Sequence, residues 1–414
     1  MARAANSPPR SLPPAVVVGL DNITGLQSAR ILARHGIPVV GIAKDRHHFC
    51  RTRACTTTVY ADTTSDAFVS ALEEIGPTLD QRAVLVPCTD LTVLLVSRHR
   101  ERLAPWYHVV LPEPDVVELL MHKHRFYEYA QGEGFSVPRT LFLTSRAEAE
   151  QAAETLSFPC ILKPTLKTRA WDDHAEEKAY KVPSADEFLA LYDRAASWAD
   201  VILAQEWITG EEGELYSCNC YFDADSRPLV TFVARKVRQW PPQTGTSSLG
   251  VECRNDIVLD ETVRLFEGLR LRGLGYLEMK RDARSGAHVI VEPNIGRPTV
   301  RGPIAEAGGV ELLYSMYCDT LGLPLPANRE QRYTGTKWIY LQRDLQSALY
   351  YWRRGELSLR DWWRSLRGRK VDAVFSWTDP LPFVLDFWRG FRIVASRLAA
   401  RMFPNRRLAG ARSL

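Results

Sequence analysis

Short apolar runs alternate along the chain with segments in which apolar residues recur at helical spacing. Ala15–Val18 is a continuous apolar run, which is typical of a buried strand in a parallel sheet. The helix predicted after it extends to about Arg34 and stops at Gly36, and a second strand follows over Pro38–Ile42. A strand, a helix and a strand in this order predict a parallel sheet with helices on its faces. Residues 15–110 are therefore expected to form an α/β domain.

The loop after the first strand, Gly19–Gly25, invites a nucleotide-binding interpretation. It lacks the Gly-Lys-Ser/Thr ending of a P-loop and the glycine spacing of a dinucleotide-binding loop. Thr24 is the predicted N-cap of the helix, and a helix N-terminus suits an anionic group such as a carboxylate. A plain strand-to-helix turn explains the same residues, so both interpretations stay open.

The pattern of Gly275–Pro298 predicts a β-hairpin. Arg284–Gly286 supplies a three-residue loop with glycine where a left-handed backbone is needed. If the turn is centred on Ser285, Glu278 lies directly opposite Glu292. Since side chains alternate between the two faces of a strand, one face carries acids and the other is apolar. The acid face includes the facing pairs Tyr276–Asn294 and Asp282–His288, and the apolar face includes Leu277, Met279, Val289 and Val291.

Two carboxylates about 5 Å apart across a sheet repel each other, so a positive charge is expected between them. Lys280 on the same face is one candidate for that charge. The other is one or two divalent cations held by Glu278, Glu292 and Asn294. Mg²⁺ is the natural choice because it prefers hard oxygen ligands and shares them with substrate phosphates.

A lysine at the end of an apolar strand marks a second candidate site. The strand predicted over Phe158–Lys163 ends on this lysine. A buried ammonium is costly unless it meets an anion, and a phosphate is the usual partner of such a point charge. Residues 165–182 are polar and weakly periodic, which is typical of a mobile lid.

Two further strands end in charged residues. A strand over 201–208 is followed by a cluster of acids, Glu211, Glu212 and Glu214. A later strand runs into a basic cluster, Arg235, Lys236 and Arg238. The basic cluster fits a phosphate site, and a solvated basic edge strand explains it equally well.

Composition places the chain among ordinary globular proteins. Its 414 residues suffice for two or three packed units, and 45% apolar and 25% charged residues are typical values. No window approaches the about 18 apolar residues of a membrane-spanning helix, and the start does not resemble a signal peptide. Two Pro-Pro pairs predict a disordered lead-in over residues 1–14. The eight scattered cysteines favour reduced thiols and hence a cytoplasmic location.

The positive charge of the chain is concentrated at its end. The formal net charge is +4, yet residues 386–414 contain seven arginines and one aspartate, so the remainder is slightly negative. A nucleic-acid-binding protein needs a basic surface on its body. No nucleic-acid partner is therefore expected.

Residues 331–414 hold six of the eleven tryptophans, interleaved with arginine. Short helices are predicted at Gln342–Trp352 and Ser358–Leu366, and a longer one over 383–403. The longer helix is basic with an aromatic side, which fits peripheral membrane contact at the cytoplasmic face. A helix docked on the body or on a second subunit is the alternative. Its apolar side comprises Val384, Phe387, Trp388, Phe391, Val394, Leu398 and Met402, and Asp386, Arg389 and Arg397 lie opposite.

The order of these features resembles the ATP-grasp superfamily, and most of all its carboxylate–amine ligase branch, which includes D-aspartate ligase-like enzymes. The resemblance covers about residues 15–325. The motifs that carry it are Lys123, Phe-Pro-x-Ile-Leu-Lys at 158–163, Gln-Glu-Trp-Ile-x-Gly at 205–210, Gly-Tyr-Leu-Glu at 275–278 and Val-Glu-Pro-Asn-x-x-Arg at 291–297.

The resemblance implies an α/β fold that is α+β in its middle. A Rossmann-like domain is expected over 15–110, followed by an ATP-grasp domain over 111–330 whose two lobes meet at a hinge near 205–210. A mainly helical, Trp/Arg-rich extension over 331–414 ends the chain with its amphipathic helix.

The resemblance also implies roles for individual residues. Lys123 and Lys163 match the lysines that contact the nucleotide phosphates. The lid contains no glycine, and Lys178 or Lys181 is expected to compensate by reaching the phosphates. The adenine-reading strand comprises Gln205, Glu206, Trp207 and Ile208, and the ribose acid is Glu212 or Glu214. The metal ligands are Glu278, Glu292 and Asn294, and Arg297 matches an arginine that binds phosphate or the intermediate. Lys236 and Arg238, from the basic cluster, are the other predicted catalytic residues. Arg297 follows Asn-Ile-Gly where the family commonly has Asn-Pro.

The implied function is an ADP-forming ligase that joins a carboxylate to an amine through an acyl phosphate. It would use ATP with one or two Mg²⁺ ions, or Mn²⁺ in their place, act on small-molecule carboxylates and amines, and form a homo-oligomer. Two alternatives stay open: a carboxylase or carbamoyl-phosphate type of ATP-grasp enzyme, and a nucleotide-binding regulator without turnover.

Overall fold

In the part of the chain that the structure describes, the strands form three sheets of five, seven and four strands. The computed structural model describes residues 12–165, 169–175, 177, 179–243 and 245–402, and for residues 169, 172 and 393–402 the backbone alone.

The N-terminal sheet is parallel throughout. Its strands are β1 (Ala15–Val18), β2 (Val39–Ala43), β3 (Thr57–Tyr60), β4 (Ala83–Pro87) and β5 (Tyr107–Val109). They pair in the order β3-β2-β1-β4-β5, as the strand–helix–strand pattern predicted. The helices of this part are α1 (Ile23–Arg34), α2 (Ala67–Ile75), α3 (Asp90–Arg98), α4 (Arg100–Leu103), α5 (Pro114–Met121) and α6 (Lys123–Gly132), with 3₁₀ turns at His48–Arg51 and Gly76–Thr78.

Helix α1 begins two residues earlier than its predicted N-cap implies. The side chain of Asn22 accepts a hydrogen bond from the backbone N–H of Gly25 at 2.9 Å, so Asn22 is the N-cap and the prediction of Thr24 is wrong. Of the predicted lead-in, residues 1–11 lie outside the described residues. Pro13 and Pro14 are held in place, because their carbonyls accept hydrogen bonds from the Tyr317 hydroxyl and the Val84 N–H.

A small antiparallel sheet forms a separate lobe with its own apolar core. Its strands β6 (Thr140–Leu143), β7 (Cys160–Pro164), β8 (Tyr180–Val182) and β9 (Ile202–Glu206) pair in the order β6-β9-β7-β8. The helices are α7 (Arg146–Thr155), α8 (Arg169–His174) and α9 (Ala185–Ala195). The predicted lid over 165–182 lies partly outside the described residues, as does Lys178. Within the lid segment, α8 buries Trp171 in the lobe core.

The largest sheet combines the middle of the chain with its C-terminal region. Its strands are β10 (Leu215–Phe222), β11 (Pro228–Trp240), β12 (Thr246–Glu252), β13 (Gly273–Arg281), β14 (His288–Ile295), β15 (Lys337–Ile339) and β16 (Lys370–Asp372). They pair in the order β14-β13-β10-β11-β12-β15-β16. The helices packed with it are α10 (Asp256–Gly268), α11 (Pro303–Gly308) and α12 (Leu312–Thr320), and a 3₁₀ turn over Glu212–Glu214 precedes β10.

The described part of the C-terminal region is mainly helical, as expected, and it also adds β15 and β16 to the main sheet. β15 pairs with β12, and β16 pairs with β15. Three helices accompany them, α13 (Leu341–Arg353), α14 (Leu359–Ser365) and α15 (Leu381–Met402). The prediction of a mainly helical extension missed these strands because each is only three residues long.

Helix α15 docks on the body through its polar side. Asp386 is buried and accepts hydrogen bonds from His48 and Tyr340 at 3.0 Å each, and Arg389 contacts His47 at 2.8 Å. The aromatic side is exposed, with more than half the surface of Phe387, Trp388 and Phe391 open to solvent. Phe403 and the side chains of Val394, Arg397, Leu398 and Met402 lie outside the described part. No helix in the described residues is long and apolar enough to cross a membrane.

Candidate functional site

A cleft of about 1190 Å³ lies between the four-stranded and the seven-stranded sheet. Its walls come from β7, β8 and β9 on one side and from β11, β13 and β14 on the other, with helix α13 contributing Tyr351. The volume exceeds the ~300–1,000 Å³ of common small-molecule sites. The cleft therefore has room for a nucleotide and a second substrate.

The acid pair lies in this cleft, in the predicted register. Glu278 is directly opposite Glu292 and Tyr276 is opposite Asn294 across β13 and β14, so both predicted pairings are confirmed. Beyond Glu278 the register shifts by one residue at a bulge, and His288 faces Arg281. The predicted pairing of Asp282 with His288 is wrong.

The bulge also changes which side chains reach the core. Ile290 pairs with Met279 and both are fully buried, whereas Val291 lines the cleft. The predicted apolar face is therefore wrong for Val291. The turn is one residue longer than predicted, since Asp282 and Ala287 close it with a 2.8 Å hydrogen bond. Gly286 has the expected left-handed backbone, with φ of 73°.

Two cations that the sequence did not pair with Glu278 neutralise it. The Lys236 ammonium lies 3.4 Å and the Arg301 guanidinium 3.5 Å from its carboxylate oxygens. Burial alone would raise the pKa of Glu278, but Lys236 and Arg301 hold that pKa below its ordinary value. Lys280 instead donates to the Ile208 carbonyl at 2.9 Å, so its predicted neutralising role is wrong.

The predicted metal ligands adjoin a third cation, Arg297. Its Nη2 donates to the Asn294 Oδ1 at 2.6 Å, its Nε forms a very short contact with Asp90, and its guanidinium lies over the Tyr276 ring. The other side-chain atom of Asn294, Nδ2, is buried without a hydrogen-bond partner among the described residues. This amide is therefore only half satisfied.

The donor set suits a hard divalent cation. Two facing carboxylates and the side-chain oxygen of Asn294, which also accepts from Arg297, are oxygen ligands of the kind that Mg²⁺ prefers. Among the described residues, no group of three or more His, Cys, Asp or Glu could hold a metal ion. The acid pair and Asn294 are thus the metal-ligand candidates that this cleft offers.

Two of the three predicted phosphate lysines lie in the cleft wall. Lys163 is desolvated and repelled by Lys123, and together these effects lower its pKa to about 8 despite the opposing attraction of Glu292. Lys181 lies 4.4 Å above the Trp207 ring, and both lysines line the cleft. Lys123 is the first residue of α6 and lies close enough to Lys163 to lower the pKa of that lysine.

The predicted adenine strand forms the cleft edge where β9 ends. Gln205 is buried and donates to the Thr140 hydroxyl at 2.7 Å, and Glu206 accepts from the Ser157 N–H at 3.2 Å. The Trp207 ring lies beneath the ammonium groups of both Lys181 and Lys280. Gln205 through Ile208 all line the cleft.

The two candidate ribose acids occupy different surroundings. Glu212 lines the cleft and accepts hydrogen bonds from Tyr351, Gln243 and Gln239 at 2.5–3.3 Å. Glu214 instead accepts from the Tyr216 hydroxyl at 3.2 Å. Glu212 is therefore the better placed of the two, although its carboxylate is already fully hydrogen-bonded within the chain.

Arg238 is committed to a structural ion pair. Its Nε and Nη2 donate to both oxygens of the Asp344 carboxylate, and Trp362 donates to the same carboxylate at 2.9 Å. The predicted catalytic role of Arg238 therefore needs correction, because its guanidinium already binds a buried acid. Lys236, two residues earlier, faces Glu278 as a cleft residue.

Sequence reasoning missed two contributors to the cleft. Arg301 is 1% exposed and contacts both Glu278 and the Ser217 hydroxyl. In the sequence it is marked only as a second arginine, four residues after Arg297. Tyr351 reaches the cleft because β15 and the Arg238–Asp344 ion pair hold the C-terminal region against the main sheet. No local motif marks that long-range contact.

Part of the chain is similar in sequence to curated ligases. It is 21% identical over 224 residues to D-aspartate ligase of Enterococcus faecium, covering 52% of this chain and 53% of that protein. It is 26% identical over 190 residues to D-alanine–D-alanine ligase of Ectopseudomonas mendocina, covering 42% and 55%. The matches span about half the length of these relatives. No family model matches the chain.

Solved structures resemble most of the chain. An N5-carboxyaminoimidazole ribonucleotide synthetase in complex with ADP superposes with a TM-score of 0.62 at 13% identity, covering 83% of this chain and 86% of that one. The biotin carboxylase domain of the Hydrogenobacter thermophilus 2-oxoglutarate carboxylase superposes at 0.61 and 14%, covering 78% and 73%. These likenesses confirm the predicted fold class.

Proposed function

We propose that this chain, which has the ATP-grasp fold and is related to carboxylate–amine ligases, is an ATP-dependent, ADP-forming ligase that joins a carboxylate to an amine. The observation that carries the proposal is the facing pair Glu278 and Glu292 in a cleft ringed by cations. Lys236 and Arg301 compensate the charge of Glu278, and a metal ion would compensate that of the facing Glu292. Holding a metal and a triphosphate gives both the acids and the cations a purpose.

Charge neutralisation is the main task of these residues. Lys163 and Lys123 would bind the phosphates, and Lys236, Arg297 and Arg301 would surround the transferred group. A carboxylate oxygen of the substrate attacks the γ-phosphorus while the bond to the bridging oxygen breaks and ADP leaves. The amine then attacks the acyl carbon, phosphate leaves with the electrons of the carbon–oxygen bond, and the nitrogen loses its excess proton.

Mg²⁺ is the proposed metal, and Glu278, Glu292 and Asn294 would hold it. When bound, such a cation withdraws charge from the phosphoryl oxygens. The role of Lys236 and Arg301 is then to keep Glu278 ionised, since they already lower its pKa. Gln205–Ile208 would bind adenine and Glu212 the ribose.

The test is a phosphate-release screen of amino acids and other carboxylates, with and without amines, in the presence of Mg-ATP. We expect release that requires a carboxylate and increases with the matching amine. Nucleotide binding without release across a broad panel would contradict the ligase proposal and favour the regulator. Bicarbonate belongs in the panel, because one structural neighbour is titled a biotin carboxylase domain in complex with bicarbonate.

The amphipathic helix supports a finer proposal, contact with an anionic membrane surface from the cytoplasm. Helix α15 uses Asp386 and Arg389 to dock on the body and leaves Phe387, Trp388 and Phe391 exposed. The arginine-rich end of the chain is complementary to anionic lipid. The eight free cysteines are compatible with the reducing cytoplasm that the proposal requires.

Co-sedimentation with phosphatidylglycerol vesicles tests the membrane proposal. Replacing Phe387, Trp388 and Phe391 by serine should abolish binding, whereas serine at the exposed Leu345 and Leu349 of α13 should not. Equal binding by both variants would contradict it.

Light scattering of the same samples tests the proposed homo-oligomer. If the triple variant dissociates, the aromatic side of α15 contacts a second copy of the chain instead of a membrane.

A further inference from the structure

A second, smaller cavity lies between helix α1 and the sheet that carries the acid pair. Side chains of α1, β10 and α11 line it, and its free volume of about 20 Å³ is room for one water-sized group. Tyr276, Arg297 and Thr299 line both this cavity and the large cleft. The cavity is therefore separated from the reaction space by one layer of side chains.

Three hydrogen-bond acceptors in this cavity lack a partner among the described residues. They are the Gln27 Oε1, the Asn219 Oδ1 and the Glu306 Oε2, each sealed from solvent. Gln27 and Asn219 are 4% exposed. Buried polar atoms are almost always hydrogen-bonded, so three unpaired acceptors in one cavity indicate a missing donor.

The orientation of these groups is fixed by their other contacts. The Gln27 Nε2 donates to the Ala373 carbonyl at 2.9 Å and the Asn219 Nδ2 to the Phe232 carbonyl at 3.3 Å. Turning either amide over would place its oxygen against a carbonyl oxygen. The Glu306 Oε1 accepts from the Leu313 N–H at 3.3 Å. When Glu306 is ionised, each residue therefore presents an acceptor, and none a donor, to the cavity.

The chemistry of this acceptor set selects the ligand. Anions and carbonyl compounds bring further acceptors, whereas ammonium brings N–H donors and a positive charge and is about the size of a water molecule. Glu306 offers the compensating charge. Burial raises the pKa of Glu306 to about 7, and a cation in the cavity would favour its ionised form.

We propose that Gln27, Asn219 and Glu306 bind ammonium, which would then be the amine substrate. The inference rests on the proposed ligase function. The nitrogen would wait behind Tyr276, Arg297 and Thr299, beside the space in which the acyl phosphate forms. Arg297 does not compete for the acceptors, since its guanidinium contacts Asn294 and Asp90.

Thermal unfolding in the presence of simple cations tests the site without the full substrates. Ammonium chloride should raise the Tm of the full-length protein more than methylammonium, tetramethylammonium or potassium chloride at the same concentration. Glu306→Gln and Asn219→Leu should remove this difference, and Glu311→Gln, a nearby acid outside the cavity, should keep it. Equal shifts with all four salts, or full retention in Glu306→Gln, would overturn the proposal.

An amine-dependent assay separates this inference from the ligase proposal. Glu306→Gln should raise the KM for the amine by about tenfold or more, while the KM for the carboxylate stays unchanged. Hydroxylamine, a largely uncharged nucleophile at neutral pH, should still trap the acyl phosphate at the wild-type rate. An unchanged amine KM would overturn the amine site alone. If the wild-type protein forms no hydroxamate in the presence of a carboxylate, the ligase proposal is overturned. The salt experiment would still test ammonium binding in the cavity.

Discussion

The guanidinium of Arg238 and the carboxylate of Asp344 form a two-point ion pair, with contacts of 2.8 and 3.0 Å. Arg238 lies on β11 beside the cleft and Asp344 on α13, 106 residues later. Both side chains are almost completely buried. The pair fixes the C-terminal region against the cleft wall, so that region is part of the site and not an appendage.

Removing one partner of this pair should be costly. Asp344→Ala leaves the Arg238 guanidinium buried without its anion, and we expect a loss of about 3–5 kcal/mol in the free energy of unfolding. Equilibrium urea unfolding measures it. Glu261→Gln, which breaks the more exposed pair with Arg264, serves as the control and should cost under about 1 kcal/mol. Equal effects would contradict the structural role of Asp344.

Nucleotide binding should weaken at high pH because of Lys163. Burial and the neighbouring Lys123 lower its pKa to about 8, so its ammonium is charged below that pH and neutral above it. ATP affinity should fall as the pH rises through about 8, by at most about tenfold per unit. The phosphates of bound ATP will raise the pKa of Lys163, so the fall in affinity will occur at a somewhat higher pH. Calorimetric titration of Lys163→Arg, which stays protonated, should give a flatter profile; an identical profile would exclude Lys163 as the cause.

The stability of the protein should fall between about pH 4.5 and 7 because of Glu306. Its folded pKa of about 7 exceeds the ordinary 4.5, mainly through burial, with Glu311 raising it further and Arg34 opposing. Between these two pKa values the folded state binds more protons than the unfolded state. The stability that Glu306 contributes is therefore lost as the pH rises. As the pH rises from acid to alkaline, the free energy of unfolding of Glu306→Gln should increase relative to that of wild type by up to about 3 kcal/mol. Urea unfolding across this range checks it, and a constant difference would contradict it.

Glu292 offers the cleanest variant of the acid pair, because it is exposed whereas Glu278 is paired with Lys236 and Arg301. Glu292→Gln should change stability by less than about 0.5 kcal/mol and lower carboxylate-dependent ADP formation by about a hundredfold or more. The exposed Glu267→Gln on α10 is the matched control. Full activity in Glu292→Gln would remove the metal assignment.

The sequence was informative where short-range rules decide the structure. Side-chain alternation and one turn sufficed to place Glu278 opposite Glu292, and a continuous apolar run identified β1. A single-residue bulge could not be foreseen, because Val289, Ile290 and Val291 are equally good strand residues. The choice among them depends on which one fills the core beside Met279.

Long-range contacts were beyond the sequence for a different reason. The charge of Arg238 is compatible with either a phosphate or a buried acid, and only the fold brings Asp344 to it. Helix α15 illustrates the same limit, since its amphipathic pattern was clear but the side that docks was not. An apolar stripe ordinarily predicts that the apolar side of a helix packs on the body. In α15 the polar side does so instead, through the buried contacts of Asp386 with His48 and Tyr340.

The central claim, that a carboxylate is activated by phosphoryl transfer in the Glu278–Glu292 cleft, has one direct test. A carboxylate that the screen identifies is labelled with heavy oxygen, and mass spectrometry follows the label during turnover. Attack of the carboxylate on the γ-phosphorus predicts that one labelled oxygen appears in each phosphate released. Phosphate that carries no label during full ligation would contradict the acyl-phosphate mechanism.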